Sequence, residues 1–440
     1  MAERIASMES LKALRLDAAE LWPVSAEPLM KVKNLKHLCV MGNPVSAART
    51  LTRSLLLNST STLQSLQVRA DPYRYNFLED WEDVIRDRAE IADRKHSLVA
   101  LKSLHLAWMA FDKTFIKSIG IAIDFTKLRE LHLDIPSLSQ DLLWEHLIEV
   151  FSSANRAGES IHLKTLRIRA PGSPSDRSVA DVQRWFGLQC RFLATFDTLT
   201  SLGINDFRYS KQEVAADAKP EFPEALLEGI LAHKDLVNLN LSYHGYSVDA
   251  IVPTMSVPTM TNIIDALPHL RNIEFAPGRD VVSVAVCPLR CEPRILTRRA
   301  QEAIGHVLAR GGNLERIKLH LWYSFERDPD AGVDFTSTVR SLLGSFLARG
   351  HSKDQDSSAF VWEEHYKLRH LAVEFQTWEV ASKFDGQGNG METEEKVATS
   401  RKGSGERQVR YRDVPRVWRL APRAEQRVYS PWTEKIDKTL

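Results

Sequence analysis

Ser103, His105 and Glu130 are the residues of this chain whose types most invite a chemical reading. A hydroxyl, an imidazole and a carboxylate are the parts of a hydrolytic triad, whose base must lie about 2.6–3.2 Å from its nucleophile. The spacing argues against one. Ser103 and His105 stand at i and i+2 of the stretch LVALKSLHLAWMAF, residues 98–111. On a strand such residues share a face with Cα atoms roughly 6.5–7 Å apart, and their side chains stand side by side. An open sheet also supplies no oxyanion hole. Cys287-Pro-Leu-Arg-Cys291 is a CxxxC with no second cysteine pair and no histidine pair at zinc spacing. It reads as ordinary thiols rather than as a metal or redox centre. No Walker loop, dinucleotide fingerprint, HExxH or GxSxG motif occurs. The expectation is a non-enzyme with no catalytic, cofactor-binding or metal-binding residues.

The stretch that carries Ser103 and His105 contains Leu101-x-x-Leu104-x-Leu106, and this pattern recurs eleven times. The copies are Leu11-Leu14-Leu16, Leu35-Leu38-Val40, Leu63-Leu66-Val68, Leu101-Leu104-Leu106, Leu128-Leu131-Leu133 and Leu163-Leu166-Ile168. They continue as Leu199-Leu202-Ile204, Leu236-Leu239-Leu241, Leu270-Ile273-Phe275, Leu314-Ile317-Leu319 and Leu368-Leu371-Val373. The first leucines lie 24 to 54 residues apart. Positions 4 and 6 of each copy point the same way on a strand, while position 1 turns the chain into it. One copy cannot bury three apolar side chains, but stacked copies can.

The segments between copies read as helices. Leu142, Leu143, His146, Leu147, Val150 and Phe151 fall on one face at helical spacing. Leu226, Leu227, Ile230 and Leu231 do the same, with Pro223 placed for a first turn. Thr336 is an expected N-cap, and Gly311 and Gly350 are expected stops. The predicted fold is α/β, a solenoid with a curved parallel sheet on the concave side and helices on the convex side. It spans 8–380, with a polar, Gly-rich segment at 381–406 and a basic cap or tail at 407–440. The insertions are expected to hold a charged helix at 81–95 and an extra strand or hairpin at 281–286.

The copies resemble the leucine-rich repeat family. The second fits best, as Leu35-x-x-Leu38-x-Val40-x-x-Asn43-x-Val45 carries the asparagine that links neighbouring turns in that family. Long, irregular copies of this kind look like the repeat regions of fungal F-box-like proteins. That resemblance implies a protein that holds the substrate of a ubiquitin ligase on its repeats. In such proteins a separate N-terminal box docks on a cullin adaptor. Repeat one begins near Met8, so cullin-adaptor binding is not expected of this chain alone.

Lys and Arg number 58 against 57 Asp and Glu, so no global field recruits nucleic acid or an acidic membrane. No apolar run approaches a membrane span, and the four cysteines read as reduced thiols of an intracellular protein. Positions 3, 5 and 7 of each copy face away from the core. Along the stack they place His105, His132, Arg167 and Arg169 beside Asn238, Asn240 and Asn272, with Tyr243 on a following turn. These eight are the expected partner-binding residues, for a protein segment carrying acidic and hydrogen-bonding groups. His105 and His132 are expected to add affinity as pH falls through about 6.5. Asp134 beside Arg169 reads as a cross-strand ion pair. The competing readings are a site in the inserted loops and nucleic-acid or acidic-ligand binding by the basic tail.

Overall fold

The computed structural model describes residues 8, 10–17, 27–41, 46–69, 96–107, 109, 111–134, 140–169, 179–205, 209–210, 222–241, 250–251, 255–277, 292–324, 370–378, 416–419 and 427–429. The chain divides into two compact units. The first comprises Met1–Lys219, Pro223–Asn238 and His244–Val252, and the second Pro220–Phe222, Leu239–Tyr243 and Pro253–Leu440.

Seven strands form the sheet of the first unit. They are β1 (Ala13–Asp17), β2 (His37–Met41), β3 (Ser65–Arg69), β4 (Ser103–Ala107), β5 (Glu130–Asp134), β6 (Thr165–Arg169) and β7 (Ser201–Asn205), bonded in chain order. All are parallel and in step, and each occupies positions 3 to 7 of its copy. Position 4 is therefore one file, Leu14 to Leu202, and position 6 another, Leu16 to Ile204. Every member is buried except Leu14 at the outer strand, which is half-buried. The leading leucines Leu35, Leu63, Leu101, Leu128, Leu163 and Leu199 are buried as well. Each fully buried leucine contributes about 1.5–3 kcal/mol, so the repeated triplet carries the core.

The backbone pins this register just ahead of each strand. The Lys12 carbonyl accepts the N–H of Lys36 at 2.8 Å and of His37 at 3.0 Å. The carbonyls of Lys36, Gln64, Lys102, Arg129 and Lys164 each accept the same two N–H groups from the copy that follows.

The helices of this unit are α1 (Ser46–Leu57), α2 (Lys113–Ala122), α3 (Gln140–Arg156), α4 (Val179–Leu193) and α5 (Glu224–Ala232). Two 3-10 turns, Pro28–Lys31 and Phe125–Lys127, also occur among the described residues. Asp112 caps α2 by accepting the Phe115 N–H at 2.7 Å. Pro223 stands at the N-cap of α5 rather than inside its first turn. Gly158 ends α3 at φ 68°, where Glu159 N–H reaches the Ala154 carbonyl and Gly158 N–H that of Asn155. That left-handed closure is why glycine stands there. Leu143, Trp144, Leu147 and Phe151 of α3 are buried, with the Trp144 ring against Phe192 and the Phe151 ring 5.0 Å from both Phe192 and Phe196. Helix α5 approaches α4 so closely that a Cβ at Gly229 would lie 3.1 Å from that of Leu193. In α5 the buried side is Leu226, Gly229 and Ile230, with His233 just beyond, while Leu227 and Leu231 are half-buried.

A short strand β8 (Tyr209–Ser210) also belongs to the first unit. The unit boundary falls within β9 (Asn238–Asn240), after Asn238. β10 (Ala250–Ile251) pairs antiparallel with β8. The second unit continues with α6 (Val257–Ala266), β11 (Asn272–Phe275), α7 (Glu292–Arg310), β12 (Arg316–Ser324) and β13 (His370–Trp378). β11, β12 and β13 are parallel, and Leu270, Ile273, Phe275, Leu314, Ile317 and Leu319 are buried as their positions require. β14 (Arg416–Arg419) and β15 (Arg427–Tyr429) follow antiparallel, with Val373 opposite Trp418 and Val417 opposite Tyr429. The architecture is α/β, built from repeated strand-and-helix segments on parallel sheet. Among the described residues no helix is long and apolar enough to cross a membrane. Asn43, residues 81–95, 281–286, Cys287, Cys291, Thr336 and Gly350 lie outside the described residues.

Candidate functional site

The face of the first unit's sheet opposite the helices holds positions 3, 5 and 7. Register brings four of the expected partner-binding residues together there. His105 lies beside His132, and His132 beside Arg167. Arg169 is the partner of Asp134 one row along. Arg167 and Arg169 are exposed, while both histidines are half-buried. The imidazoles meet edge to face, with centroids 5.5 Å apart.

The hydrogen bonds decide what this patch can do. Ser103 Oγ donates to Glu130 Oε2 at 3.0 Å. His105 Nε2 lies 3.4 Å from Asp134 Oδ2. Among the described residues no bond joins Ser103 to His105, so the serine proton is committed to a carboxylate on the next strand. The parallel, side-by-side geometry expected of i and i+2 keeps nucleophile and base apart. Asp134, read from the sequence as the counter-ion of Arg169, stands opposite it in the register and bonds His105.

His132 is held well below the ordinary histidine value. Burial first, then the positive neighbours His105 and Arg167, push its pKa down to about 4, against weaker opposing pulls from Glu130 and Asp134. Its Nε2 is buried without a hydrogen-bond partner. In the free chain it is therefore neutral near pH 6.5, and it adds affinity on acidification only where a partner's carboxylate raises its pKa. The stripe's fixed cationic charge resides in Arg167 and Arg169.

Of the remaining expected residues, Asn238 is half-buried in the first unit, and Asn240 and Asn272 are half-buried in the second. Tyr243 lies outside the described residues. Asn240 Nδ2 donates to Glu274 Oε2 at 2.7 Å, which places it in a cluster that the sequence reading did not assemble. Glu274 Oε1 also receives Lys318 Nζ at 3.0 Å and His320 Nε2 at 2.7 Å. The His320 side chain is 1% exposed and that of Glu274 17%. Burial would raise the Glu274 pKa, but the hydrogen bonds and charges of His320 and Lys318 outweigh it and hold the carboxyl below its usual range. The signal for this cluster lay in the repeat register. Glu274 and Lys318 are both at position 5 of successive copies and pair directly across β11 and β12.

Two further histidines sit in the first unit among apolar groups. His233 is fully buried, with its ring 5.1 Å from that of Phe196 and Nδ1 3.4 Å from the Leu199 N–H. Burial pushes its pKa down to about 4. His146 packs against Phe125 and the site of Gly120, and burial lowers its pKa too. The Cys190 thiol is buried and pushed up to about 12; Cys39 is raised by burial, with Arg15 opposing. Neither thiol is primed as a nucleophile. No protein-family model matches this sequence, and no curated protein does.

Proposed function

We propose that this chain is a leucine-rich-repeat scaffold whose open sheet face binds a segment of another protein. The observation that carries the reading is the patch on β4 to β6. There the exposed guanidinium groups of Arg167 and Arg169 flank two half-buried histidines on a sheet whose opposite face is locked into the core. Strands about 4.8 Å apart hold such groups at fixed intervals. A rigid multi-row surface suits an extended partner that touches several rows. Arginines in such a setting favour carboxylates, which accept both arms of the guanidinium. The leucines buried at positions 1, 4 and 6 support the repeat assignment. The long, irregular spacing supports the narrower reading of a substrate-holding part of an F-box-like ubiquitin-ligase receptor.

The test is cross-linking of the purified chain to extracts of its native cells, followed by mass spectrometry. Wild type, Arg167→Glu with Arg169→Glu, and the helix-side variant Glu149→Ala are compared. The reading expects partners that cross-link near β4 to β6, are lost in the Arg variants and are kept in Glu149→Ala. Identical partner sets for all three proteins remove the open face from consideration. The narrower reading expects the partner's ubiquitylation in cells to fall with the same two arginines.

A further inference from the structure

Position 2 of the first six copies holds Lys12, Lys36, Gln64, Lys102, Arg129 and Lys164. The five cations are all exposed and Gln64 is half-buried. They stand in single file because the backbone fastens each to the next. Lys36 N–H donates to the Lys12 carbonyl at 2.8 Å, Gln64 to Lys36 at 2.8 Å and Lys102 to Gln64 at 2.8 Å. Arg129 donates to Lys102 at 2.7 Å, and Lys164 to Arg129 at 2.9 Å. At about 4.8 Å per strand the file runs for roughly 24 Å along the leading edge of the sheet.

Among the described residues none of these five cations takes part in an ion pair. The same unit does pair a cation elsewhere, for Arg184 bonds both Asp141 and Glu145. Like charges in adjacent rows are mutually unfavourable. A file of them with no counter-ion among the described residues offers its charge to a partner.

We infer that this leading edge is a docking rail for an extended acidic segment of another protein. A run of 24 Å matches about seven residues of extended chain at roughly 3.3 Å each. Four of the five cations are lysines, whose ammonium is a mobile point charge suited to carboxylates in several registers. Positions 1 to 3 of these six copies hold no Phe, Tyr or Trp on which bases stack, and one imidazole, His37. No exposed apolar side chain among them anchors a bilayer. The rail shares no residue with the open-face patch of His105, His132, Arg167 and Arg169, so the two readings stand or fall separately.

The test is fluorescence anisotropy with the full chain and a labelled octapeptide of alternating Asp and Glu. An Asn/Gln octapeptide, an eight-nucleotide uridine RNA and vesicles containing phosphatidylserine are run alongside. Lys36, Lys102, Arg129 and Lys164 are changed to Ala singly and together. Lys113→Ala and Lys234→Ala, exposed cations off the rail, serve as controls, and circular dichroism confirms that each variant folds. The rail reading expects the acidic peptide to bind and the neutral one not to bind. Each substitution should weaken binding by about two- to fivefold, and affinity should fall as salt rises from 0.05 to 0.2 M. The controls and Arg167→Ala should bind as wild type does. Wild-type affinity in the quadruple variant overturns the proposal, as does equal loss in the controls or no peptide binding at low salt. Tighter binding of the RNA or the vesicles through the same four cations also overturns it, and assigns the rail to phosphate.

Discussion

Glu274 in the second unit and His132 in the first both stand at position 5 of their copies and face away from the helices, yet their neighbours treat them oppositely. Glu274 receives Asn240, Lys318 and His320, so its charge is answered within the unit although it is mostly buried. His132 has His105 and Arg167 beside it in register, so burial and like charge together keep it neutral. Burial alone does not set the state of a half-covered group; the adjacent rows do. The second unit's cluster is internally satisfied and reads as structure. The first unit's patch ends in exposed guanidinium groups, and the proposed binding rests on them.

The largest test of this contrast changes two neighbouring residues on opposite faces. Leu166→Arg puts an unpaired charge into the core and is expected to cost more than about 4 kcal/mol, enough to unfold the first unit. Arg167→Ala, one residue on, should stay within about 0.5 kcal/mol. Thermal melts followed by circular dichroism compare them, and similar melting of the two variants would break the assignment of faces.

Glu274→Gln should be nearly as harmful in the second unit, because Lys318 and His320 lose a mostly buried counter-ion. The expected cost is about 2–4 kcal/mol. Glu130→Gln, on the exposed face of the first unit, is expected to cost about 1 kcal/mol or less. Urea titration checks both, and equal costs would erase the distinction between structural and surface carboxylates.

Acid destabilises both units but in different pH windows. His132 and His233 have folded pKa values of about 4 against an ordinary 6.5. Between these values the unfolded chain binds more protons, so stability is lost as pH falls from about 6.5 to 4. Glu274 has a folded pKa below 4.5. Its contribution is present above the unfolded value and is lost only as pH falls through the lower folded one. Hydrogen exchange at pH 5 should therefore show the strands β5 and β7 opening before β11 and β12, relative to pH 7. His132→Phe with His233→Gln should flatten the first unit's response, and a second unit that opens first would contradict the account.

The smallest effect compares two glycines after helices. An added Cβ meets nothing at Gly158 or at Gly312. Only Gly158 has positive φ, so Gly158→Ala should cost about 1–2 kcal/mol, while Gly312→Ala should be neutral or slightly stabilising. Equal melting temperatures would mean that the closure of α3 is not what holds the turn.

The repeat was legible because leucine at positions 1, 4 and 6 is imposed by burial, and burial is local to each copy. Strands at positions 3 to 7 followed from it. Trp144 was less legible: it sits next to the apolar stripe of α3, and only the aromatic cluster around Phe192 explains its burial. His233 and Gln189 look like surface residues in a helix text but are fully buried. The Glu274 cluster joins copies whose leading leucines Leu236, Leu270 and Leu314 lie 34 and 44 residues apart. Its members acquire meaning only when strands are set in register. The unit boundary inside β9 has no composition signal, since Asn-Leu-Asn continues the repeat pattern across it.

The doubled hydrogen bond at the position-2 carbonyls of the first six copies carries a further consequence, for how such a chain grows. It resets the phase of the chain at the start of each strand that follows them, whatever length of polypeptide came before. Lys12, Lys36, Gln64 and Lys102 are separated by 24, 28 and 38 residues, yet each following strand joins the sheet at the same residue of its copy. Length is thus uncoupled from register. A segment added between two copies shifts nothing downstream, so new sequence can be inserted, tried and discarded at every turn without a correction elsewhere.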